Sequence, residues 1–373
     1  MLNFKKYDIK NYNISLVVLV LMLSSLGIFL ISLAQKEGER LLEKQILGLV
    51  LGIMVALVVS IIDYHFISQF FVVLYIINIA LLVAVKIKGV GAYGATRWLD
   101  LKYFTFQPSE LGKVIMIIFL AKFFTLVKDK LNTFPVIIAS IILMGIPILF
   151  VLSQPDLSSS LVFVFIFLAM IYAAGLSYKI IFPVLLIGIP LFLGLFWYVQ
   201  QDYQVLLSPN QQIRVLSILH PEEYADTMYQ QENSIKVIGS GGLTGKFLDG
   251  GEEAILSDTY VPVSESDFIF SVAGEAFGFI GTFLILLIYI LIIVKCLKIA
   301  HNASDYLGML IAIGVACMFM FQVFVNIGVV TAILPNTGLP LPFLSYGLSS
   351  LVSSMIAVGL VLNISLQKSN RRR

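Results

Sequence analysis

"SESDFIFSVAGEAFGFIGTFLILLIYILIIVKCLK", residues 264–298, opens with two acids, Glu265 and Asp267, then runs apolar to Lys295 with one further acid, Glu275, inside it. About 20 apolar residues in a helix cross the roughly 30 Å hydrocarbon core of a bilayer, so the run 268–297 reads as a membrane span. Its carboxylates then need separate explanations, because ionisable groups at membrane depth are costly and mark function. Ser264 and Ser266 are N-cap residue types. They place Asp267 in the first turn, where free N–H groups and the helix dipole favour a charged carboxylate. Capping alone would also account for that aspartate. Glu275 lies about two turns deeper, beyond any capping argument. It needs a cation from another element, and Lys113 is a candidate. Gly274, Gly278 and Gly281 recur at helical spacing, which permits close approach of a neighbouring helix.

The rest of the chain repeats this character. Of 373 residues, 59% are hydrophobic and 12% charged, with a mean hydropathy of +0.97; soluble domains carry about 25% charged residues. The composition predicts an all-α, polytopic membrane helix bundle. Ten apolar stretches lie at 14–34, 45–62, 67–86, 108–127, 134–153, 157–175, 179–199, 268–297, 305–334 and 343–366. An even number puts both termini on one side. Lys5, Lys6, Lys10, Lys128, Lys130, Lys179, Lys295, Lys298, Lys368 and Arg371–Arg373 share it, so that side should be the cytoplasm. The basic N-terminus runs into a full-length span and reads as a retained helix, not a cleaved signal.

Residues 200–267 form the large extracytoplasmic loop of a single membrane domain spanning 1–373. The loop carries eleven Asp and Glu against Arg214, Lys236 and Lys246, and loops of that length are usually functional. A net charge of +2 argues against a nucleic-acid partner. Cys296 and Cys317 sit in apolar runs and the three histidines, His65, His220 and His301, are scattered, so neither a disulfide framework nor a zinc site is indicated.

Other polar residues at membrane depth stand out. In "GATRWLDLKYFTFQPSELGKV" (94–114), Arg97 and Trp98 precede Gln107, Pro108 and Ser109, and Glu110 and Lys113 share a helix face. A plain buried ion pair explains the latter two nearly as well as function does. In "SQPDLSSSLVF" (153–163), Asp156 reads as an N-cap. Gln322 and Asn326, four apart, fit ordinary interhelical contacts. "GSGGLTGKF" (239–247) is not a nucleotide-binding P-loop, because Ser240 and Phe247 stand where that motif needs Gly and Ser/Thr. Gly239, Gly241 and Gly242 there suit sharp turns. "NTGLPLPFLSYG" (336–347), with Pro340, Pro342 and Ser345, reads as a re-entrant or tightly packed connection.

Taken in order, "GATRWLDL" with "FQPSELGK", "QPDLSSS", "IGSGGLTGK", "SDFIFSVAGEAFGFIG" and "NIGVVTAILPNTGLPLPFLSYGLSS" resemble the signatures of the SEDS family (RodA, FtsW and their sporulation relatives), the polytopic peptidoglycan glycosyltransferases of bacteria. "RWLDL" and the short N-terminus look most like the RodA branch, which serves cell elongation. The resemblance implies polymerisation of lipid II on the outer face of the cytoplasmic membrane, with Asp267 at the position of the catalytic acid. It implies that Arg97, Glu110, Lys113, Asp156, Glu275, Asn326 and Ser345 border a substrate cavity. It also implies a class B penicillin-binding protein as partner. For the leaving pyrophosphate the candidates are Arg97, Lys113 and a divalent cation, Mg2+ or Mn2+. Departures fall around the loop: the family's "PEAHTDF" is "PVSESDF" here, so Val263 replaces an acid and Glu265 a histidine, and "GKG" becomes "GKF". A lipid II flippase and a non-catalytic scaffold for the transpeptidase are the alternative functions.

Overall fold

The structure is a computed structural model that describes residues 7–35, 40–92, 95–100, 102, 104–201, 203–207, 209–220, 222–250 and 261–367. Each of the ten apolar stretches is helical for most of its length. In chain order the helices are α1 (Ile14–Ala34), α2 (Leu41–Ile61), α3 (Tyr64–Gln69), α4 (Phe71–Lys88), α5 (Pro108–Leu126), α6 (Phe134–Leu152), α7 (Leu157–Ala173), α8 (Tyr178–Val199), α9 (Pro209–Leu219), α10 (Ala225–Ser240), α11 (Phe247–Gly250), α12 (Ile269–His301), α13 (Tyr306–Val330) and α14 (Leu348–Leu366). Eight of them are long and apolar enough to cross a membrane. The other two expected spans are α7, which is shorter, and α5, which carries Glu110, Lys113 and Lys122. The Lys368 and Arg371–Arg373 part of the cytoplasmic-side expectation lies outside the described residues, as do Lys5 and Lys6.

Helices α13 and α14 form the centre of the bundle. Helix α14 packs along α2, and α13 packs on α12, α7 and α5. At the other extreme, no residue of α8 is buried. Local chemistry starts several helices: Asn13 accepts from the Leu16 N–H, Asp156 from Ser159 and Asp305 from Gly308, the ordinary N-cap exchange. The segment 200–268 is not structureless, because it carries α9, α10 and α11. Helix α10 packs on α12, and Gln231 and Ser234 donate to the carbonyls of Val329 and Val330 at the end of α13.

Three departures from the hydropathy reading shape the site. First, α13 stops at Val330. The Ile333 and Leu334 N–H groups fold back onto the Gly328 carbonyl, and residues 331–347 continue as a non-helical segment, partly exposed up to Gly338 and buried at Leu339 and from Leu341 to Ser345. Second, the third stretch divides into α3 and α4 at Phe70. Third, α12 is broken inside. Gly278 has φ 64° and ψ −162°, a combination open almost only to glycine. Its 23 residues from 279 to 301 still measure about 34 Å at 1.5 Å per residue, enough to span the bilayer without the first part.

A small antiparallel sheet, β1 (Val90–Ala92), β2 (Ala95–Asp100) and β3 (Thr105–Phe106), closes the link from α4 to α5. Trp98 pairs with Val90 and Leu99 with Phe106, which aligns β2 and presents Arg97 to the bundle. Pro108 is the first residue of α5, where its missing N–H costs nothing.

Candidate functional site

Asp267 lies two residues before α12, in a turn held from three sides. Asn326 of α13 donates to the Asp267 carbonyl at 2.9 Å and to the Leu339 carbonyl at 2.8 Å. The Ser345 hydroxyl donates to the Ser266 carbonyl at 2.5 Å while accepting from the Leu341 N–H. The Tyr346 N–H donates to the Glu265 carbonyl at 2.8 Å. Ser345 therefore braces the backbone just before the acid and Asn326 ties the Asp267 carbonyl to α13, while both side chains are themselves buried. Gln45 of α2, donating to the Ser345 carbonyl, braces the same corner.

The carboxylate is half-buried beside Gly338, whose φ of 68° is a glycine conformation; a Cβ there would stand 3.1 Å from Asp267 Oδ2. Desolvation pushes the Asp267 pKa up to about 6. The Ser266 hydrogen bond and the charges of Arg97 and Arg214 pull against that rise, and Glu265 adds to it. Glu265, the substitute for the family's histidine, thus makes Asp267 a stronger base.

Arg97 reaches in from β2. Its Nη2 donates to the Pro155 carbonyl at 2.5 Å and its Nη1 stands 3.8 Å from Asp156 Oδ1. Asp156 caps α7 and also stands against Arg97. One oxygen accepts from the Ser159 N–H, and the other from Gln107 at 3.4 Å. Gln107 in turn donates to Ser109 at the start of α5. Arg214, on α9, donates to the Asn336 carbonyl at 3.2 Å. Burial and repulsion from Arg97 lower its pKa, while Asp267 and Asp156 partly restore it. Along the sequence Arg214 stands out only as one of three cations in an acidic loop, and its guanidinium on α9 is the one signal for it.

The wall common to these groups is "NTG", residues 336–338. Asn336 binds Arg214, the Thr337 carbonyl accepts from Ser158 at 2.7 Å, and Gly338 abuts Asp267. The proline-rich stretch set aside as a packed connection is therefore the floor of the site, with Pro340 and Pro342 keeping it out of helix. Tyr289 donates its hydroxyl proton to the Pro342 carbonyl. Around this floor, Arg97 Nε, Asn326 Oδ1 and Thr337 Oγ1 are buried and find no hydrogen-bond partner among the described residues. Buried polar groups are normally satisfied, so these three atoms keep unused hydrogen-bonding capacity, as do Ser24, Asn78 and Gln322 elsewhere in the bundle.

Glu110 and Lys113 form a closed pair at 2.7 Å with both side chains almost fully buried, as their spacing predicts. Lys113 is not the partner of Glu275. That carboxylate, 1% exposed, pairs at 2.7 Å with Lys246, and the expectation of a Lys113 contact is corrected. The reason is the break at Gly278, which admits the loop 241–246 directly against α12. Of its glycines, Gly241 needs its bareness, since a Cβ would meet the Gly274 carbonyl oxygen at 2.0 Å. Gly242 has φ 56°, and Gly239 is open to solvent. Gly274 and Gly278 do permit close approach, but to this loop and the end of α10. Phe247, where the family has glycine, packs against Phe29 of α1 and Phe277 of α12.

The FtsW/RodA/SpoVE family, described as "Cell cycle protein", matches residues 10–370. The chain belongs to that family. Relatives of this SEDS member include the "Probable peptidoglycan glycosyltransferase FtsW" of Trichlorobacter lovleyi, 32% identical over 97% of this chain and 95% of that protein. The "Peptidoglycan glycosyltransferase MrdB" of Escherichia coli K12 is 34% identical over 89% of this chain and 87% of that one. Among solved structures, a chain from a study titled "Structural coordination of polymerization and crosslinking by a peptidoglycan synthase complex" superposes with a TM-score of 0.80 at 27% identity, covering 95% of this chain and 97% of that one. RodA of Thermus thermophilus gives 0.68 at 28% identity, covering 95% and 96%. In this SEDS chain no group of three or more His, Cys, Asp or Glu among the described residues could hold Mg2+ or Mn2+. The cationic charge beside Asp267 comes from Arg97 and Arg214.

Proposed function

We propose that this chain is a peptidoglycan glycosyltransferase that polymerises lipid II at the outer face of the bacterial cytoplasmic membrane, with Asp267 as general base. The observation that carries the reading is the Asp267 carboxylate of raised pKa beside Gly338, within the electrostatic reach of Arg97 and Arg214, over a floor with unpaired polar atoms. Support for the activity comes from the relatives named peptidoglycan glycosyltransferases.

In this reaction the sugar 4-hydroxyl of one lipid II attacks the anomeric carbon of the growing strand. The C–O bond to the polyprenyl pyrophosphate breaks and the anomeric centre inverts. Ionised Asp267 accepts the hydroxyl proton, a contribution of about 10²–10⁴ in rate. Arg97 and Arg214 face the charge that builds on the departing pyrophosphate, the usual task of preorganised cations. Lys113 is already neutralised by Glu110, so we assign that pair to the cavity wall. Asp156 holds Arg97 in line at 3.8 Å without fully compensating it.

Both termini would then be cytoplasmic and the segment 200–267 extracytoplasmic. A single-span class B transpeptidase fits as partner, because the structural neighbour's title couples polymerisation to crosslinking. "RWLDL" favours elongation as the process, while relatives named FtsW and MrdB both match; rescue of rod shape in an elongation-defective strain checks that assignment. The catalytic reading is tested by supplying lipid II to the purified protein with its transpeptidase. Asp267→Asn should abolish glycan polymerisation. Normal strand synthesis by that variant, in a preparation free of other polymerases, would overturn it.

A further inference from the structure

We infer that Lys246, with Glu275, is a positioning pair that sets the height and tilt of Asp267, so that the outer loop and the reacting carboxylate move as one body. The inference rests on the catalytic reading of Asp267 above. Its physical basis is the break in α12. Residues 269–277 form a short helix that starts two residues after Asp267 and ends at Gly278, where φ 64° and ψ −162° interrupt the helical backbone. The long membrane-spanning part, 279–301, therefore does not dictate the direction of the short one.

The loop 241–246 supplies the missing link. The Phe279 and Ile280 N–H groups, at the start of the spanning part, donate to the Gly242 and Leu243 carbonyls at 2.9 and 3.1 Å. On the other side of the break, the Lys246 N–H donates to the Glu275 carbonyl at 2.9 Å. The Lys246 ammonium then closes on the Glu275 carboxylate at 2.7 Å. Gly241 and Gly245 bring the two backbones together. A Cβ on the first would meet the Gly274 carbonyl oxygen at 2.0 Å, and on the second the Ala276 oxygen at 2.1 Å. One loop thus holds both sides of the break, and its only ionic contact with the short helix is Lys246 to Glu275 among the described residues.

The lever is long enough to matter. Nine residues at 1.5 Å rise make an arm of about 14 Å, so a tilt of about 5° at Gly278 moves the start of the short helix by about 1 Å. Misplacement of that size costs about 10²-fold in rate.

The test uses the full chain with its transpeptidase and lipid II, and compares Lys246→Arg, Lys246→Gln and the double variant Lys246→Met/Glu275→Gln, which removes both charges of the pair. The double variant should melt like wild type and keep its KM for lipid II, while kcat falls by about 10²-fold. Lys246→Arg should restore most of kcat, and Lys246→Gln, shorter and neutral, should stay low. A wild-type kcat in either the double variant or Lys246→Gln overturns the inference, and the second applies even where the double variant does not fold. Loss that appears only as a raised KM, or only in step with a lowered melting temperature, overturns it too. Asp267→Asn run alongside separates the two levels: activity there sinks the catalytic reading itself, whereas an inactive Asp267→Asn beside a fully active Lys246→Gln sinks only the positioning role.

Discussion

The chain gathers acids and cations at two places, and the two are built in opposite ways. At one, Asp63, His65 and Asp305 close on themselves. His65 Nδ1 lies 2.8 Å from Asp63 and its Nε2 2.5 Å from Asp305. Tyr64 donates to Asp305 at 2.8 Å and Gln367 to Asp63 at 2.9 Å, while Asn363 ties the Ser60 carbonyl and the Tyr7 hydroxyl into the same knot. Each carboxylate has several donors. At the other, around Asp267, the contacts are open. Arg97 reaches Asp156 only at 3.8 Å, Arg214 donates to the Asn336 carbonyl, and Arg97 Nε, Asn326 Oδ1 and Thr337 Oγ1 have no hydrogen-bond partner among the described residues. A satisfied cluster holds the chain together; an under-satisfied one has bonding capacity left for a substrate. Charge alone therefore does not distinguish the two places, whereas the degree to which their polar groups are satisfied does.

The contrast predicts that substitutions at the open cluster strike catalysis and those at the closed cluster strike only stability. The largest effect after Asp267→Asn is expected from Arg97 and Arg214. Replacing either with Ala should lower kcat/KM for lipid II by about 10²–10³-fold, the usual cost of removing one preorganised donor from a developing anion. Thermal stability should change less in Arg214→Ala than in Arg97→Ala, which leaves the buried Asp156 without its cation. An Arg214→Ala protein with normal turnover would break the comparison, since Arg214 would then be packing.

A middle-sized effect concerns pH. With Asp267 raised to about 6, polymerisation should fall as pH drops through about 6, because the base is then protonated. Arg97 favours the charged carboxylate, so in Arg97→Gln the residual activity should fall at a higher pH. A rate that stays level down to pH 4.5 would remove Asp267 as the titrating group.

The smallest effect belongs to the closed cluster. Hydrogen bonding to Asp305 raises the His65 pKa against burial, which lowers it. Burial acts to raise Asp63 and Asp305, but hydrogen bonds to His65 and to backbone N–H groups outweigh it and hold both below the ordinary carboxylate range. The signs follow. The His65 contribution is complete below its unfolded pKa of about 6.5 and is lost as pH climbs through the raised folded value. The aspartate contributions are present above about pH 4 and are lost as pH falls through their lowered values. Partly exposed pairs are worth about 1 kcal/mol or less. His65→Ala should therefore lower the melting temperature by a few degrees near pH 6 and less at alkaline pH, with kcat unchanged. A large drop in kcat would mean that the two ends communicate.

Much of this arrangement was legible along the chain. The Glu110–Lys113 pair follows from i, i+3 spacing, and the N-cap of α7 follows from Asp156 before three serines. The ten apolar stretches follow from composition. Asp267 was separated from Glu275 by depth along one helix, and the structure keeps them apart. The partners were not legible. Glu275 and Lys246 stand 29 positions apart, and nothing in a hydropathy pattern says that a loop enters a helix break. "NTGLPLPFLSYG" looked like a connection because prolines and glycines report only where helix fails, not what is built there.

By itself, then, the sequence determined that the chain is a bundle of apolar helices, which residues cap them and which acids cannot be explained by lipid. These are properties of neighbours along the backbone, where spacing and transfer free energy suffice. Only the tertiary structure decided that Arg97, Arg214 and Asp267, from a strand, a loop helix and a helix entrance, converge over residues 336–338. Only it placed Lys246 on Glu275 through the opening at Gly278. Such contacts depend on the direction in which each helix is held, and that direction comes from long-range packing and from the hydrogen bonds that close the gaps between helices.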